Sequence, residues 1–309
     1  MRLLLAFLLA FLVSTPSAAE KRIALSFDDV PRHRGAIFSP AERTERLIAG
    51  LQQANVRQAV FFVVPGQLGH DDGIGGEERI AAYVAAGHVI ADHSFSHRHL
   101  SAMSAADYLA DIDKSEAWLK DRPGARPWFR YPFLDEGQED KAKRDGVRAG
   151  LKARGLRNGY ATIDGNDWQI ESLVADVVKT GTPIRLNAVR DFYVETMVGA
   201  ANFYDGLAVK AWGRHPAHVI LLHESDIAAL FITDLVDALR SDGWTIIGAD
   251  EAYADPIGSV FPDVPSANGT LTELAAWEKG IPSPRWYERN DERLMKQAFD
   301  RQISGPKEP

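Results

Sequence analysis

Two adjacent carboxylates, Asp28 and Asp29, end the apolar segment "RIALSFDD" near the start of the chain. Aspartate is a poor strand former, and two like charges side by side repel each other. A divalent cation bound to Asp29 would screen that repulsion and leave Asp28 ionised, free to accept a proton from water. A solvated Asp-Asp turn is the simpler explanation of the same pair. The pair therefore marks a candidate site that other residues must support.

Two histidines four residues apart, His93 and His97, occur in "HSFSH" after a second apolar segment. Residues at this spacing share one face of a helical turn, which suits two imidazole ligands of one metal ion. The alternative is that His93 and His97 are capping or solvated histidines. We expect His88 and His99 to be packing or surface residues, because neither shares that register. The chain has no cysteine, so the third ligand should be a carboxylate, and Asp29 is the candidate.

The elements that would position these residues are short apolar segments that alternate with helical patterns from Ile23 to Asp250. The segments are "RIALSF", "AVFFVV", "HVIADH", "PWFRYPF", "GYATI", "HVILLH" and "WTIIGAD". This alternation predicts a parallel sheet flanked by helices, either a closed or nearly closed barrel or an open doubly wound sheet. In both, functional residues lie at the carboxyl ends of the strands. The residues at those ends are Asp28, Asp29, His93, Arg130, Asp164 and His223.

The first nineteen residues, "MRLLLAFLLAFLVSTPSAA", have the layout of a cleaved signal peptide: one cationic residue, an apolar run and small residues before the cut. We therefore predict a signal peptide at 1–19 and a periplasmic or secreted protein. A catalytic domain is predicted at 20–255, with a helical insertion at about 185–212. Residues 256–309 are predicted to be a C-terminal extension that packs on this domain.

The formal net charge of the 309-residue chain is −8. An acidic chain without a basic cluster argues against nucleic acid or anionic lipid as a partner. No segment after the signal peptide is long and apolar enough to cross a membrane. Composition and patterning leave the oligomeric state open.

Five short motifs, "SFDD", "HSFSH", "RYPF", "DGNDW" and "LLH", occur in an order and at spacings that resemble the polysaccharide deacetylase family. This is the NodB-homology group, also called carbohydrate esterase family 4. The resemblance implies a distorted (β/α) barrel of about seven parallel strands and a divalent metal, usually zinc, with cobalt and nickel as alternatives. It also implies hydrolysis of the N-acetyl amide of a polysaccharide or oligosaccharide substrate, or of O-acetyl esters in xylan-active members.

The resemblance also assigns roles residue by residue. Asp28 is the expected general base, Arg130 the arginine that pairs with it, His223 the general acid and Asp167 the carboxylate that orients His223. Asp29, His93 and His97 are the expected metal ligands. The substrate-binding candidates are Phe133 through its backbone N–H, Tyr131, Trp168 and Leu221.

The physical chemistry of amide hydrolysis is consistent with these roles. Base and acid must hold opposite protonation states at one pH. Arg130 favours the carboxylate form of Asp28, and Asp167 favours the imidazolium form of His223. A bell-shaped dependence of rate on pH follows, with Asp28 responsible for the acidic limb.

Two departures from the family pattern affect the expected substrate more than the chemistry. Val30 stands where glycine is common, and Phe133 stands where tyrosine is usual, while Tyr131 is expected to narrow the cleft. An O-acetyl esterase or a small-molecule amide hydrolase would use the same site. A glycan-binding module without activity is disfavoured, because every expected catalytic position keeps a competent side chain.

Overall fold

Parallel strands alternate with helices along residues 20–303, the part of the chain that the computed structural model describes. The predicted signal peptide at 1–19 lies outside the described residues. The strands are β1 (Lys21–Val30), β2 (Val60–Val63), β3 (Val89–Asp92), β4 (Ala125–Phe129), β5 (Asp135–Gln138), β6 (Arg157–Asn158), β7 (Ile163–Asp164), β8 (Ala217–His223), β9 (Trp244–Ile246) and β10 (Ala267–Asn268). The helices are α1 (Pro40–Gln53), α2 (Gly76–Ala85), α3 (Ala105–Leu119), α4 (Lys141–Ala153), α5 (Asp167–Lys179), α6 (Leu186–Trp212), α7 (Asp226–Ser241), α8 (Ala249–Ala252), α9 (Leu271–Glu278) and α10 (Glu292–Ile303).

The main sheet has the strand order β6-β4-β3-β2-β1-β8-β7, and β9 pairs with the first residues of β1. All these pairs are parallel. β5 and β10 form a separate antiparallel pair. The carboxyl ends of the long strands therefore meet at one edge of the main sheet, as expected for a parallel arrangement.

The predicted strand "GYATI" is wrong as a single element. Its flanks form β6 and β7, which lie at opposite edges of the sheet. Between them Gly159 N donates to Phe129 O on one edge, and Thr162 N donates to Val219 O on the other. Glycine is needed at 159 because a Cβ atom there would lie 2.7 Å from the Phe62 ring. Residues 159–162 thus join the two edges and curl the sheet into a distorted (β/α) barrel, which confirms the predicted fold class.

The central strand β1 is buried on both faces, which explains its almost continuous apolar sequence. Ile23, Leu25 and Phe27 pack in the core cluster that includes residues of the surrounding helices. Ala24 points the other way, into a second cluster with Phe62 and other inward-facing side chains of the sheet. Two buried faces fix the register of β1 and hence the position of the residues at its end.

Ser39 and Ser104 cap the amino ends of α1 and α3. Ser39 accepts a hydrogen bond from Glu42 N, and the Glu42 side chain accepts one from Ser39 N, which completes a capping box. Ser104 accepts a hydrogen bond from Asp107 N at the start of α3. Both caps satisfy backbone donors that the first turn of a helix leaves free.

Within the predicted helical insertion at about 185–212, residues 186–212 form one unbroken helix, α6, of 27 residues. Helix α10 packs on the same core through Met295, Phe299 and Ile303, with the Phe299 ring 5.5 Å from the Phe192 ring of α6. The division of the chain at residue 255 stays a prediction. No helix within residues 20–303 has the length and apolar content that a bilayer crossing requires.

Replacing Phe299 by alanine should lower the free energy of unfolding by about 3–5 kcal/mol, because the ring is 1% exposed and its loss leaves a cavity in the main core. Leu294→Ala is the matched control, since Leu294 is 37% exposed on the same helix; it should change stability by less than about 0.5 kcal/mol. Urea unfolding followed by circular dichroism measures both. Equal effects of the two changes would show that α10 is not part of the cooperative fold.

Candidate active site

Three side chains at the carboxyl edge of the barrel bring their ligand atoms within 4.8 Å of one another: Asp29, His93 and His97. Asp29 lies near the end of β1 with a left-handed backbone φ of 68°. His93 directly follows β3. The Nε2 atoms of His93 and His97 lie 3.6 Å and 2.8 Å from Asp29 Oδ1. The two histidines identified from the spacing in "HSFSH" therefore lie next to Asp29, as predicted.

The prediction that His93 and His97 share one face of a helical turn is wrong, because residues 93–97 form no helical turn. Ser94 and His97 adopt left-handed φ values of 66° and 51°. The loop is held instead by Asp111 Oδ2, which accepts from the N–H groups of Phe95 and Ser96, and by Ser94 Oγ, which accepts from His97 N. A carboxylate of α3 thus shapes the loop that presents the second imidazole.

The polar atoms of this cluster fit a divalent cation. Asp29 Oδ1 is buried and accepts no hydrogen bond within residues 20–303, although His97 Nε2 is only 2.8 Å away, so the ring N–H is not directed at it. His93 Nδ1 lies 2.9 Å from Arg130 O, which leaves Nε2 facing Asp29. A bond from the second ring nitrogen is typical of metal-ligating histidines. Burial opposes the charge on Asp29, but the two histidines outweigh it and hold its pKa well below the ordinary value.

Asp28, the second carboxylate of the pair, is buried and bonded to Arg130. Arg130 Nη1 donates to Asp28 Oδ1 at 2.7 Å and to Ser26 Oγ at 2.8 Å. The other guanidinium nitrogens donate to Gly159 O, Tyr160 O and the Tyr253 hydroxyl. The guanidinium carbon also lies 4.0 Å from the centre of the Phe62 ring. Burial opposes the charge of Arg130, but the neighbouring Asp28 raises its pKa, so the guanidinium stays charged.

On the other side of Asp28, β8 ends at His223, which is bonded to Asp167 at the first position of α5. His223 Nδ1 lies 2.6 Å from Asp167 Oδ1, and the backbone N–H of His223 donates to Asp167 Oδ2 at 2.7 Å. Burial opposes the imidazolium charge, but the fully buried Asp167 carboxylate raises the pKa of His223 to about 9. At neutral pH the imidazole of His223 is therefore protonated.

These groups open onto one cleft with a volume of about 560 Å³. Three of the four predicted substrate-binding residues line it: Phe133, Trp168 and Leu221. Phe133 is 51% exposed and stacks on His99, with ring centres 3.7 Å apart. His99, expected to be a packing or surface residue, therefore lies at the cleft wall.

The placement of Tyr131 in the cleft is wrong. Its side chain is 3% exposed and packs with Tyr108 and Phe129 in a core cluster between the sheet and helices α3 and α4. The chain reverses at Phe133, which has a left-handed φ of 58°, so Tyr131 and Phe133 face different environments. Sequence spacing alone does not reveal this reversal.

Several residues of the site escaped the sequence analysis. The cleft is also lined by Arg32, Asn166, Asn268 and Glu292. Asp164, noted only as a strand end, lines the cleft too, and burial raises its pKa to about 6. The loop that carries it is tied to the C-terminal segment, because Asn290 Nδ2 donates to Asp164 O and Asn166 Nδ2 donates to Asn290 O. Neither Asn290 nor Glu292 belongs to a motif that would have signalled this.

Comparison with known proteins gives a family and three curated relatives. Residues 15–153 match the family model described as polysaccharide deacetylase. A chitin deacetylase 1 from Cryptococcus neoformans var. grubii is 28% identical over 152 residues, which are 47% of this chain and 29% of the relative. A peptidoglycan-N-acetylglucosamine deacetylase from Bacillus cereus is 32% identical over 121 residues, 39% of each chain. The matches thus span about a third of the length of these two relatives.

The third relative, a chitin deacetylase from Colletotrichum lindemuthianum, is 25% identical over 239 residues, which are 75% of this chain and 79% of the relative. The solved structure of the chitin deacetylase from this fungus has a TM-score of 0.52 and 21% sequence identity. It covers 77% of this chain and 91% of that chain. This likeness shows that the barrel fold is shared.

Proposed function

We propose that this chain, which matches the polysaccharide deacetylase family over residues 15–153, hydrolyses the N-acetyl amide of a polysaccharide or oligosaccharide. The resemblance to this family is confirmed, and the relatives are named as deacetylases, which hydrolyse carbon–nitrogen bonds. The observation that carries the proposal is that three possible ligand atoms, of Asp29, His93 and His97, lie in one cleft with the carboxylate of Asp28 and with His223, whose pKa is raised.

Asp29, His93 and His97 would hold a divalent metal ion, for which zinc is our proposal, with cobalt or nickel as alternatives. When bound, such an ion polarises a carbonyl oxygen and makes water more acidic. Three protein ligands are the number typical of catalytic zinc sites, which keep a position open for the reacting groups.

Asp28 would accept the proton of the attacking water, since Arg130 holds one carboxylate oxygen and leaves Oδ2 facing the cluster, 3.7 Å from His93 Nε2. His223 would then donate its proton to the leaving amine, with Asp167 keeping the ring oriented and charged. The expected substrate contacts are the Phe133 backbone N–H toward the developing oxyanion, Trp168 against the sugar and Leu221 against the acetyl methyl group.

The rate should fall at high pH as His223 loses its proton, with the alkaline limb of kcat/KM near the pKa of about 9. Asp167→Asn removes the charge that raises this pKa, so the limb should move toward the ordinary histidine value of about 6.5. Initial rates across pH 5–10 measure the shift. A limb that stays in place in the variant would contradict the role of His223 as the proton donor.

The proposal is tested by mass-spectrometric detection of acetyl loss from chitooligosaccharides, peptidoglycan fragments and acetylated xylan, with and without chelator. Chelator-sensitive release from either N-acetylated glycan is the expected result. Release from xylan alone would identify an O-acetyl esterase. No release from any of the three, with glycan binding retained, would favour the binding-module alternative. Export through the predicted signal peptide at 1–19 remains part of the proposal.

A further inference from the structure

The side chain of Arg32, on the loop that follows β1, lines the catalytic cleft without a hydrogen-bond partner for its buried Nη1 within residues 20–303. Its Nε lies 4.0 Å from Asp29 Oδ2, which is within ion-pair range but too long for a hydrogen bond. A buried guanidinium nitrogen without an acceptor is costly, and the five N–H groups of arginine form a fork that matches a planar anion. Nη1 itself is closed to solvent, so a ligand in the cleft would bind through the other edge of the guanidinium, formed by Nε and Nη2.

The fold holds the backbone of Arg32 firmly. Its N–H donates to Glu224 Oε2 at 2.8 Å, and its carbonyl accepts from Arg43 Nη2 at 2.8 Å. Glu224 and Arg43 are both almost fully buried. Because these contacts use backbone atoms, they place the side chain at the cleft without depending on it, and a substitution at 32 keeps them.

The carboxylates around Arg32 already have other partners. Asp28 is bonded to Arg130, and Asp29 faces His93 and His97. Among the residues that line the cleft in the described chain, Arg32 is the one arginine or lysine. The cleft thus contains a fixed positive charge that the acid–base pairs do not use.

The loops on either side add positive charge in a chain whose net charge is −8. Arg34 follows Arg32 on the same loop, and Arg98 lies between His97 and His99 on the loop after β3. Both are exposed, and neither side chain forms an ion pair within residues 20–303. The cleft lining itself also contains four carboxylates, Asp28, Asp29, Asp164 and Glu292, so an anionic group would have to bind directly at Arg32 rather than be attracted by the field of the cleft as a whole.

We propose that Arg32 forms a subsite for a carboxylate carried by the glycan, so that the protein prefers acidic N-acetylated glycans to neutral ones. This inference rests on the proposed deacetylase function and names its substrate class. The guanidinium fork would bind both oxygens of a carboxylate on a sugar residue next to the one that is deacetylated, a geometry that favours arginine over lysine.

The test is calorimetric binding in an Asp28→Asn background, so that no turnover is needed. The probes are two oligosaccharides of matched length, a neutral chitooligosaccharide and one that alternates N-acetylglucosamine with a uronic acid; acetate is a third probe. Arg32→Gln should raise the Kd of the acidic oligosaccharide about tenfold to a hundredfold, the value of a charge-assisted hydrogen bond. The Kd values of the neutral oligosaccharide and of acetate should stay unchanged.

Two control variants make the result specific. Arg240→Gln removes a surface arginine at the end of α7, outside the cleft lining, and should change neither Kd. Arg32→Lys keeps the charge without the fork and should lose part of the preference. An equal loss of affinity for both oligosaccharides, an effect on acetate alone, or no effect would overturn the proposal. If the acidic oligosaccharide bound selectively but the parent protein released acetate from neither glycan, the deacetylase function would be refuted, while the carboxylate subsite would still be supported.

Discussion

Asp28→Asn should lower kcat/KM by about 10²–10⁴, the usual contribution of a general base. The amide has nearly the size of the carboxyl group, and its oxygen can still accept from Arg130, so the geometry of the pair is largely kept. What is lost is the ability to accept a proton on Oδ2, the oxygen that faces the histidines. The measurement is acetate release under saturating and limiting glycan, with the metal content of the parent and the variant determined in parallel.

The buried guanidinium of Arg130 makes a stability control necessary for this experiment. Removing the charge of Asp28 leaves Arg130 with no ion-pair partner in a site that is 0% exposed, and breaking a buried pair can cost about 3–5 kcal/mol. Rates are therefore compared well below the Tm of the variant. Asp113→Asn, which removes a surface carboxylate paired with Arg154, controls for the loss of one negative charge. Full activity of folded, metal-loaded Asp28→Asn protein would exclude Asp28 as the base.

His97→Ala should lower the affinity for zinc by more than about a hundredfold, because even partners of metal ligands contribute about tenfold to a hundredfold. The parent should retain about one ion per chain after dialysis, as a site with three protein ligands requires. The variant should retain almost none. Metal content by mass spectrometry and competition with a chromogenic chelator measure the two quantities without any assay of activity.

His99→Ala is the matched control for the metal prediction. His99 lies on the same loop, lines the same cleft and stacks on Phe133, but its Nδ1 lies 3.2 Å from Asp135 rather than near Asp29. Its replacement should leave the metal content unchanged. If both variants lost the metal equally, the loop as a whole rather than His97 would be responsible, and the ligand set would need revision.

The sequence predicted the residues at the edge of the barrel better than it predicted the backbone that carries them. Parallel strands place their carboxyl ends together, so Asp28, His93, Arg130 and His223 could be assigned to one edge from strand ends alone. The turn at His93–His97 could not be predicted, because it depends on Asp111, a residue of a distant helix. Motif spacing recovers which side chains meet, whereas loop conformation depends on contacts between remote segments.

The other differences between prediction and structure concern Tyr131, the segment "GYATI" and Arg32. Tyr131 is next to Arg130 in the chain but points into the core, because the backbone reverses at Phe133. "GYATI" has the composition of a strand, but its backbone hydrogen bonds are divided between two edges of the sheet: Gly159 bonds to β4 and Thr162 bonds to β8. Gly159 also packs against Phe62, which leaves no room for a side chain there. Arg32 gave no signal in the sequence, since its place in the cleft and the missing hydrogen-bond partner of its Nη1 within residues 20–303 are visible only in three dimensions.

The segment that joins the two edges of the barrel also supplies Gly159 O and Tyr160 O to Arg130. Phe62, the ring that Gly159 packs against, is the ring beneath the same guanidinium. Barrel closure and the support of Arg130, the partner of Asp28, therefore share one set of atoms. A substitution at residues 159–160 would be expected to disturb both at once, and a redesign of the barrel would have to preserve the two carbonyl groups that hold Arg130.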